Sequence, residues 1–204
     1  PNTGGMGAYS PAPVVTPAVH DWVMQHVIYP TVNGMASEGT VFTGFLYAGL
    51  MIAPDGSAKV LEFNCRFGDP ETQPIMLRLQ SDLVALCLAA TKGELAGKQI
   101  QFTEQAAVGV VLAAGGYPES YAKGKVISGL DGIDSDSAKV FHAGTEQKDG
   151  QVLTNGGRVL CATALGANVT QAQQAAYQLV SHISWDGMFC RTDIGYRAIA
   201  REQQ

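Results

Sequence analysis

The chain has 204 residues, 46% of them apolar and only 15% charged, which excludes a disordered tail and is ample for a hydrophobic core in one large domain or two small ones. Thirteen basic against eighteen acidic residues give a net charge of −5 with no basic cluster, so nucleic acid is not expected as a partner. No apolar run reaches the ~18 residues of a membrane span, and no N-terminal segment reads as a secretory leader.

The stretch Pro1-Asn2-Thr3-Gly4-Gly5-Met6-Gly7 reads as the middle of a glycine-rich loop, so a fragment of a longer chain is expected. Residues 1–13 are rich in glycine and proline and read as loop. Thr16 then suits an N-cap with Pro17 at the first helical position. Val19, Trp22, Val23, His26 and Val27 follow at helical spacing and give one apolar face, with His26 on it and Pro30 ending the helix. Residues 40–52 read as a buried strand, 53–57 (Ala-Pro-Asp-Gly-Ser) as a turn, and 58–64 as a second strand, together an antiparallel hairpin. Pro74 to about Thr91 reads as helix, broken near Ser81, which could cap a second segment. Gly93 and Gly97 mark a boundary, and a soft domain border is placed near 98–105. Beyond it come short β-type runs at 107–114, 139–143, 151–154 and 158–164. Thr170-Gln171-Ala172-Gln173 reads as a capping box opening a helix to about His182. The tail, Cys190 to Gly195, reads as loop or strand end.

The densest polar run is Glu62-Phe63-Asn64-Cys65-Arg66-Phe67-Gly68-Asp69-Pro70-Glu71-Thr72-Gln73. Residues two apart on a strand share a face, so Glu62 and Asn64 point together. A carboxylate and an amide oxygen there make a plausible Mg²⁺ site, equally readable as a polar strand end. The fork of Arg66 suits a carboxylate or phosphate. Asp69 and Glu71 could hold an amine or cap the helix after Pro70. Thr3, Gly4, Gly5, Met6 and Gly7 could present backbone N–H groups to a phosphate, but the loop lacks the ending of a P-loop. Asn155-Gly156-Gly157-Arg158 could aim Arg158 at a ligand or be a plain hairpin turn. Arg191 and Asp193 read as a surface ion pair. Cys65, Cys87, Cys161 and Cys190 have no metal-site spacing, and such scattered thiols suit a reducing compartment, the cytoplasm. The glycosylation triplet at Asn168 is discounted on the same ground.

Several runs resemble the glycinamide ribonucleotide synthetases, a family of the ATP-grasp superfamily. They are Pro1 to Pro11, Phe42-Thr43-Gly44-Phe45-Leu46-Tyr47, and the long Glu62–Gln73 run. Gly115-Gly116-Tyr117-Pro118, Val140 to Thr145, Asn155 to Leu160 and Cys190 to Gly195 match as well. The resemblance spans essentially the whole chain, and its long central motif is specific.

The resemblance implies an α+β fold. Residues 1–104 would be the C-terminal part of the ATP-grasp catalytic domain, an antiparallel sheet with helices, and 105–204 a β-rich C-terminal domain. It implies a ligase that activates glycine with ATP to an acyl phosphate, which 5-phosphoribosylamine attacks in purine synthesis. Glu62 and Asn64 would bind Mg²⁺ or Mn²⁺ and, with apolar Leu50 at adenine, the nucleotide. Arg66 and Asp69 would be the catalytic candidates. Thr3–Gly7, Arg66, Asp69, Pro70, Glu71 and Arg158 would line the substrate side.

The family expectation is a monomer; the thiols point to the cytoplasm, and charge and hydropathy to no nucleic-acid or membrane partner. Many ATP-grasp enzymes carry another acidic metal ligand about a dozen residues before the equivalent of Glu62, where this chain has Gly49-Leu50-Met51. The resemblance also places a substrate domain and a nucleotide-covering lid upstream of Pro1, so these residues alone are expected to be inactive and to bind nucleotide weakly. The rival readings are another ATP-grasp ligase or a non-catalytic nucleotide-binding module.

Overall fold

The computed structural model describes residues 1–203. In chain order its elements are β1 (Gly7–Ser10), α1 (Pro17–Val23), a π-helical turn (Met24–Ile28), α2 (Tyr29–Ser37), β2 (Tyr47–Ile52), β3 (Ala58–Asn64), α3 (Thr72–Arg78) and α4 (Leu83–Lys92). They continue with β4 (Ala106–Ala113), β5 (Ala138–His142), β6 (Thr145–Lys148), β7 (Gln151–Thr154), β8 (Arg158–Gly166), α5 (Val169–Val180) and α6 (Tyr196–Glu202). The mixture of helices and antiparallel sheets is the α+β class that the sequence implies. These elements group into two compact units. One comprises Pro1–Pro11, Asp69–Leu79 and the chain from Phe102 onward; the other comprises Ala12–Gly68 and Gln80–Gln101.

The first unit is built on a four-stranded antiparallel sheet in the order β1-β4-β8-β5. Every residue of β4 is buried, as is the middle of β8. Burial on both faces explains why these strands read as unbroken apolar runs rather than alternating ones. On one face Val108, Val110, Leu112, Leu160 and Ala162 join Ala172, Ala176 and Leu179 of α5 in a single core. Each large side chain buried there contributes roughly 1.5–3 kcal/mol. The other face lies under α3: a Cβ on Gly109 would stand 3.2 Å from Pro74 Cγ, 3.0 Å from Cys161 Sγ and 3.3 Å from Thr163 Oγ1. Only glycine lets that helix sit so close to the sheet.

Residues 1–13 contain strand β1, which the glycine- and proline-rich sequence concealed. It exists because β4 offers an antiparallel partner, with Gly7 opposite Val110 and Ser10 opposite Ala107. Arg78 ties the end of α3 to this region, donating to Ser10 Oγ at 2.7 Å and to the carbonyls of Gln105 (2.8 Å) and Thr103 (2.9 Å). Helix α5 is capped two residues before the expected Thr170 and begins at Val169. Asn168, in extended conformation, accepts from Gln171 N at 2.9 Å and is the true cap. Gln173 instead donates to the Ile194 carbonyl at 2.7 Å, and the helix closes at Val180 rather than His182. Helix α6 and strand β6 were not expected either. Glu202 of α6 earns its place by accepting from Val169 N (2.6 Å), Thr170 N (3.1 Å) and Thr170 Oγ1 (2.8 Å).

In the second unit Thr16 caps α1, accepting from Val19 N at 3.3 Å. Val19, Val23 and Val27 form the buried stripe and pack with Ala48, Leu50, Ile52 and Ala58 of the hairpin. Two readings of this helix need correction. Pro30 does not end it: the chain widens into the π turn and continues as α2, with Pro30 in the first turn, where a missing N–H costs least. His26 is exposed, stacked on Trp22 at 4.8 Å and bonded to the Trp22 carbonyl at 2.9 Å, because the stripe is narrower than the spacing suggested. The hairpin is present, but β2 spans Tyr47–Ile52 rather than 40–52. Asp55 builds its turn, accepting from Ser57 N (2.9 Å) and Ser57 Oγ (2.7 Å). The helix break near Ser81 is real. Asp82 caps α4 by accepting from Ala85 N at 3.0 Å, while Ser81 Oγ accepts from Gln101 N at 2.7 Å. No helix among the described residues is long and apolar enough to cross a membrane.

Candidate active site

The residues singled out by the sequence fall into two clusters, one in each unit. In the hairpin, Glu62 stands opposite Gly49 and Asn64 opposite Tyr47. Opposed residues share a face, so the two polar side chains lie together on the side away from the valine stripe. The register slips between Gly49 and Leu50, leaving Leu61 as the extra residue on β3. A Cβ on Gly49 would lie 3.0 Å from Glu62 Cγ, so the glycine gives that carboxylate room. Leu50 lies on the other face, half-buried opposite Val60 and packed toward Val19, Val23 and Val27. Just past the strand, Phe67 packs on Phe45 with ring centres 4.0 Å apart, and exposed Arg66 donates to the Phe67 carbonyl at 2.9 Å.

Among the described residues there is no group of three or more His, Cys, Asp or Glu able to hold a metal unaided. Glu62 and Asn64 supply two hard oxygen donors. That set fits magnesium as it usually binds, with phosphate oxygens and water filling most positions.

In the other unit the structure brings together the Thr3–Gly7 loop, Asp69 and Arg158. Arg158 stands at the start of β8, where the tight turn at 155–157 delivers it. Its Nη1 donates to the carbonyls of Gly5 (3.1 Å) and Asp69 (2.8 Å), and its Nη2 to Asp69 Oδ2 (3.0 Å). A Cβ on Gly5 would fall 2.1 Å from Nη1, so the loop must carry glycine there for the guanidinium to reach it. Gln73 Nε2 approaches Asp69 Oδ1 at 3.5 Å, while Gln73 Oε1 is buried with no hydrogen-bond partner among the described residues. Pro70 is buried behind a cis peptide bond, and Glu71 leads into α3. Beneath the cluster, burial pushes the Cys161 thiol up to about 12.

Sequence reasoning did not give Tyr117 a role. Its hydroxyl lies 3.4 Å from Thr3 Oγ1, and its ring fills the space beside Gly157. The Gly115-Gly116-Tyr117-Pro118 run was the available signal. Arg191 and Asp193 form the expected ion pair, with Nε 2.8 Å from Oδ1. Each strengthens the other's charge, Arg191 raised and Asp193 lowered by that shared bond.

Two family profiles match the chain: "Phosphoribosylglycinamide synthetase, ATP-grasp (A) domain" over residues 1–72, and "Phosphoribosylglycinamide synthetase, C domain" over residues 107–197. The phosphoribosylamine–glycine ligase of Vibrio parahaemolyticus is 67% identical over 204 residues, covering all of this chain and 48% of that protein. The chain thus spans about half the length of the curated relatives it matches. Among solved structures, the phosphoribosylamine–glycine ligase of Thermotoga maritima superimposes with a TM-score of 0.79 at 37% identity, over 95% of this chain and 47% of that one. A biotin carboxylase domain from Hydrogenobacter thermophilus, solved with the magnesium salt of ADP and bicarbonate, has a TM-score of 0.59 at 13% identity over 91% of this chain and 40% of its own. That last likeness shows the fold alone.

Proposed function

The chain belongs to the phosphoribosylglycinamide synthetase family, and on that premise we propose that it forms part of an ATP-dependent ligase joining glycine to 5-phosphoribosylamine. The observation that carries the reading is the convergence of Arg158 on both Gly5 and Asp69. It joins three separated motif segments into one polar cluster. Residues 1–104 would complete the ATP-grasp catalytic domain and 105–204 form the C-terminal domain.

In this reading a glycine carboxylate oxygen attacks the γ-phosphorus of ATP and ADP leaves. The amine nitrogen of phosphoribosylamine then attacks the carbonyl carbon, and the C–O bond breaks to release phosphate. Glu62 and Asn64 would hold Mg²⁺, or Mn²⁺, which would neutralise charge on the phosphates. Arg66, exposed just past β3, would steady the anionic oxygens of the acyl phosphate. Asp69, held by Arg158, would receive the substrate amine. Thr3–Gly7, Pro70 and Glu71 would shape the wall, while Leu50, on the opposite face of the hairpin from Glu62 and Asn64 and packed on the valine stripe, is not retained as the adenine contact. The reading places a small-molecule enzyme in the cytoplasm, where Cys65, Cys87, Cys161 and Cys190, all free, would stay reduced.

Glycine labelled with ¹⁸O in its carboxylate tests this chemistry in the full-length protein. The acyl-phosphate route carries one label into the released phosphate. Turnover that leaves the phosphate unlabelled would exclude it.

A further inference from the structure

The far side of the Thr3–Gly7 loop borders an open cavity of about 250 Å³, lined also by Tyr9 of β1 and by the segment from Arg191 to Arg197. None of the roles above uses it. Its wall is rigidly built. Tyr177 of α5 donates to the Arg191 carbonyl at 2.6 Å and accepts from Ile194 N at 3.2 Å, and Gln173 holds the Ile194 carbonyl. Gly7 has no side chain because Ile194 Cδ1 and Cγ2 would stand 2.7 Å from its Cβ. Two guanidiniums and one carboxylate line the space, and the carboxylate of Asp193 is already taken up by Arg191. The charge of Arg197 is left over. Its Nε donates to Tyr196 Oη at 2.9 Å and its plane lies over the Tyr196 ring. Among the described residues its terminal nitrogens have no partner and it makes no salt bridge.

An exposed arginine fork with its outer N–H groups unspent, at the edge of a polar cavity next to a glycine loop, suits a phosphate monoester. The volume lies below the roughly 300–1,000 Å³ of sites for drug-sized ligands, yet exceeds what a bare glycine carboxylate needs. We infer that this cavity seats the phosphate group of a sugar-phosphate substrate, with Arg197 as its cation and the Arg191–Asp193 pair holding the wall in shape. The identity of that substrate as 5-phosphoribosylamine rests on the ligase reading above.

The test uses the full-length protein and its Arg197→Ala and Arg197→Lys variants, with ribose 5-phosphate as the binding probe. Losing a charge-assisted fork weakens an anion by roughly 10- to 100-fold. The expected result is that rise in the probe's Kd and in KM for phosphoribosylamine in Arg197→Ala, a smaller rise in Arg197→Lys, and KM for ATP and glycine within about twofold of the parent. An unchanged Kd and amine KM, a rise confined to glycine or ATP, or an equal rise in all three would overturn the inference. If the parent shows no glycine-dependent turnover, the ligase reading fails by itself. The probe then still decides: binding lost in Arg197→Ala upholds the phosphate seat, and no binding to the parent rejects it.

Discussion

Arg158 and Asp69 lie 89 positions apart, yet the guanidinium of one grips both the carboxylate (3.0 Å) and the backbone carbonyl (2.8 Å) of the other. The same Nη1 reaches Gly5, so one side chain fixes the relative placement of three motif segments. The pair is partly exposed, at 28% and 52% of the side chains, so its stabilising effect is screened. Arg158→Ala is expected to cost only about 1 kcal/mol in thermal or denaturant unfolding, but at least about tenfold in kcat/KM of the full-length protein. Arg158→Lys restores charge without the fork and should recover little activity. A variant that unfolds no more easily and turns over at the parent rate would remove Arg158 from the account.

Gly5 and Arg158 should be strongly coupled. A methyl group on Gly5 would occupy the space of Nη1, so Gly5→Ala must push the guanidinium away. The prediction is that Gly5→Ala lowers activity in the parent and has a much smaller effect in an Arg158→Ala background. A double-mutant cycle reads this directly. Additive effects would mean that the loop and the arginine act independently.

The N-cap of α5 separates two readings of one sequence. If Asn168 is the cap, Asn168→Ala costs about 1 kcal/mol of stability. Restoring the capping-box reading would require Thr170→Ala to destabilise through the helix start. Here the Thr170 hydroxyl donates to Glu202, so combining Thr170→Ala with Glu202→Gln should cost less than the sum of the two.

Cys161 carries a pH signature. Its thiol is raised from 9.0 to about 12, chiefly by burial. The folded form therefore stays protonated where the unfolded thiol ionises, and unfolding releases a proton between about pH 9 and 12. Stability from this group is complete below pH 9 and falls as pH rises, by up to ~1.4 kcal/mol per unit. Denaturant unfolding of the parent beside Cys161→Ala should show a steeper alkaline loss in the parent. The same burial predicts that an alkylating reagent at neutral pH marks exposed Cys65 and spares Cys161 until the protein unfolds. Equal labelling of the two in the folded protein would contradict the burial.

What could be read from the sequence follows from where local chemistry decides structure. The Ala53–Ser57 turn, the Thr16 cap and the apolar runs of β4 and β8 are fixed by residues a few positions apart, and they appear as expected. Strand β1 and helix α6 depend on distant partners: β1 on β4, and α6 on bonds from Val169 and Thr170 to Glu202. The π turn admits Pro30 inside a helix that proline chemistry alone would have stopped. For the site, the spacing of Glu62 and Asn64 was enough to place them on one face, because the pairing is regular from Glu62 to Asn64 and the bulge at Leu61 falls just before them. The grip of Arg158 on Gly5 and Asp69 and the contact of Tyr117 with Thr3 were out of reach, since they join residues 89 to 153 positions apart in ways no local pattern encodes.

The central claim is glycine ligation at a site whose metal is held by Glu62. Its most direct test is ADP release by the full-length protein given ATP, Mg²⁺, phosphoribosylamine and glycine, beside its Glu62→Ala variant. The account predicts release that requires glycine in the parent and falls by at least about a hundredfold in the variant. Release independent of glycine, or a folded Glu62→Ala protein as active as the parent, would contradict it.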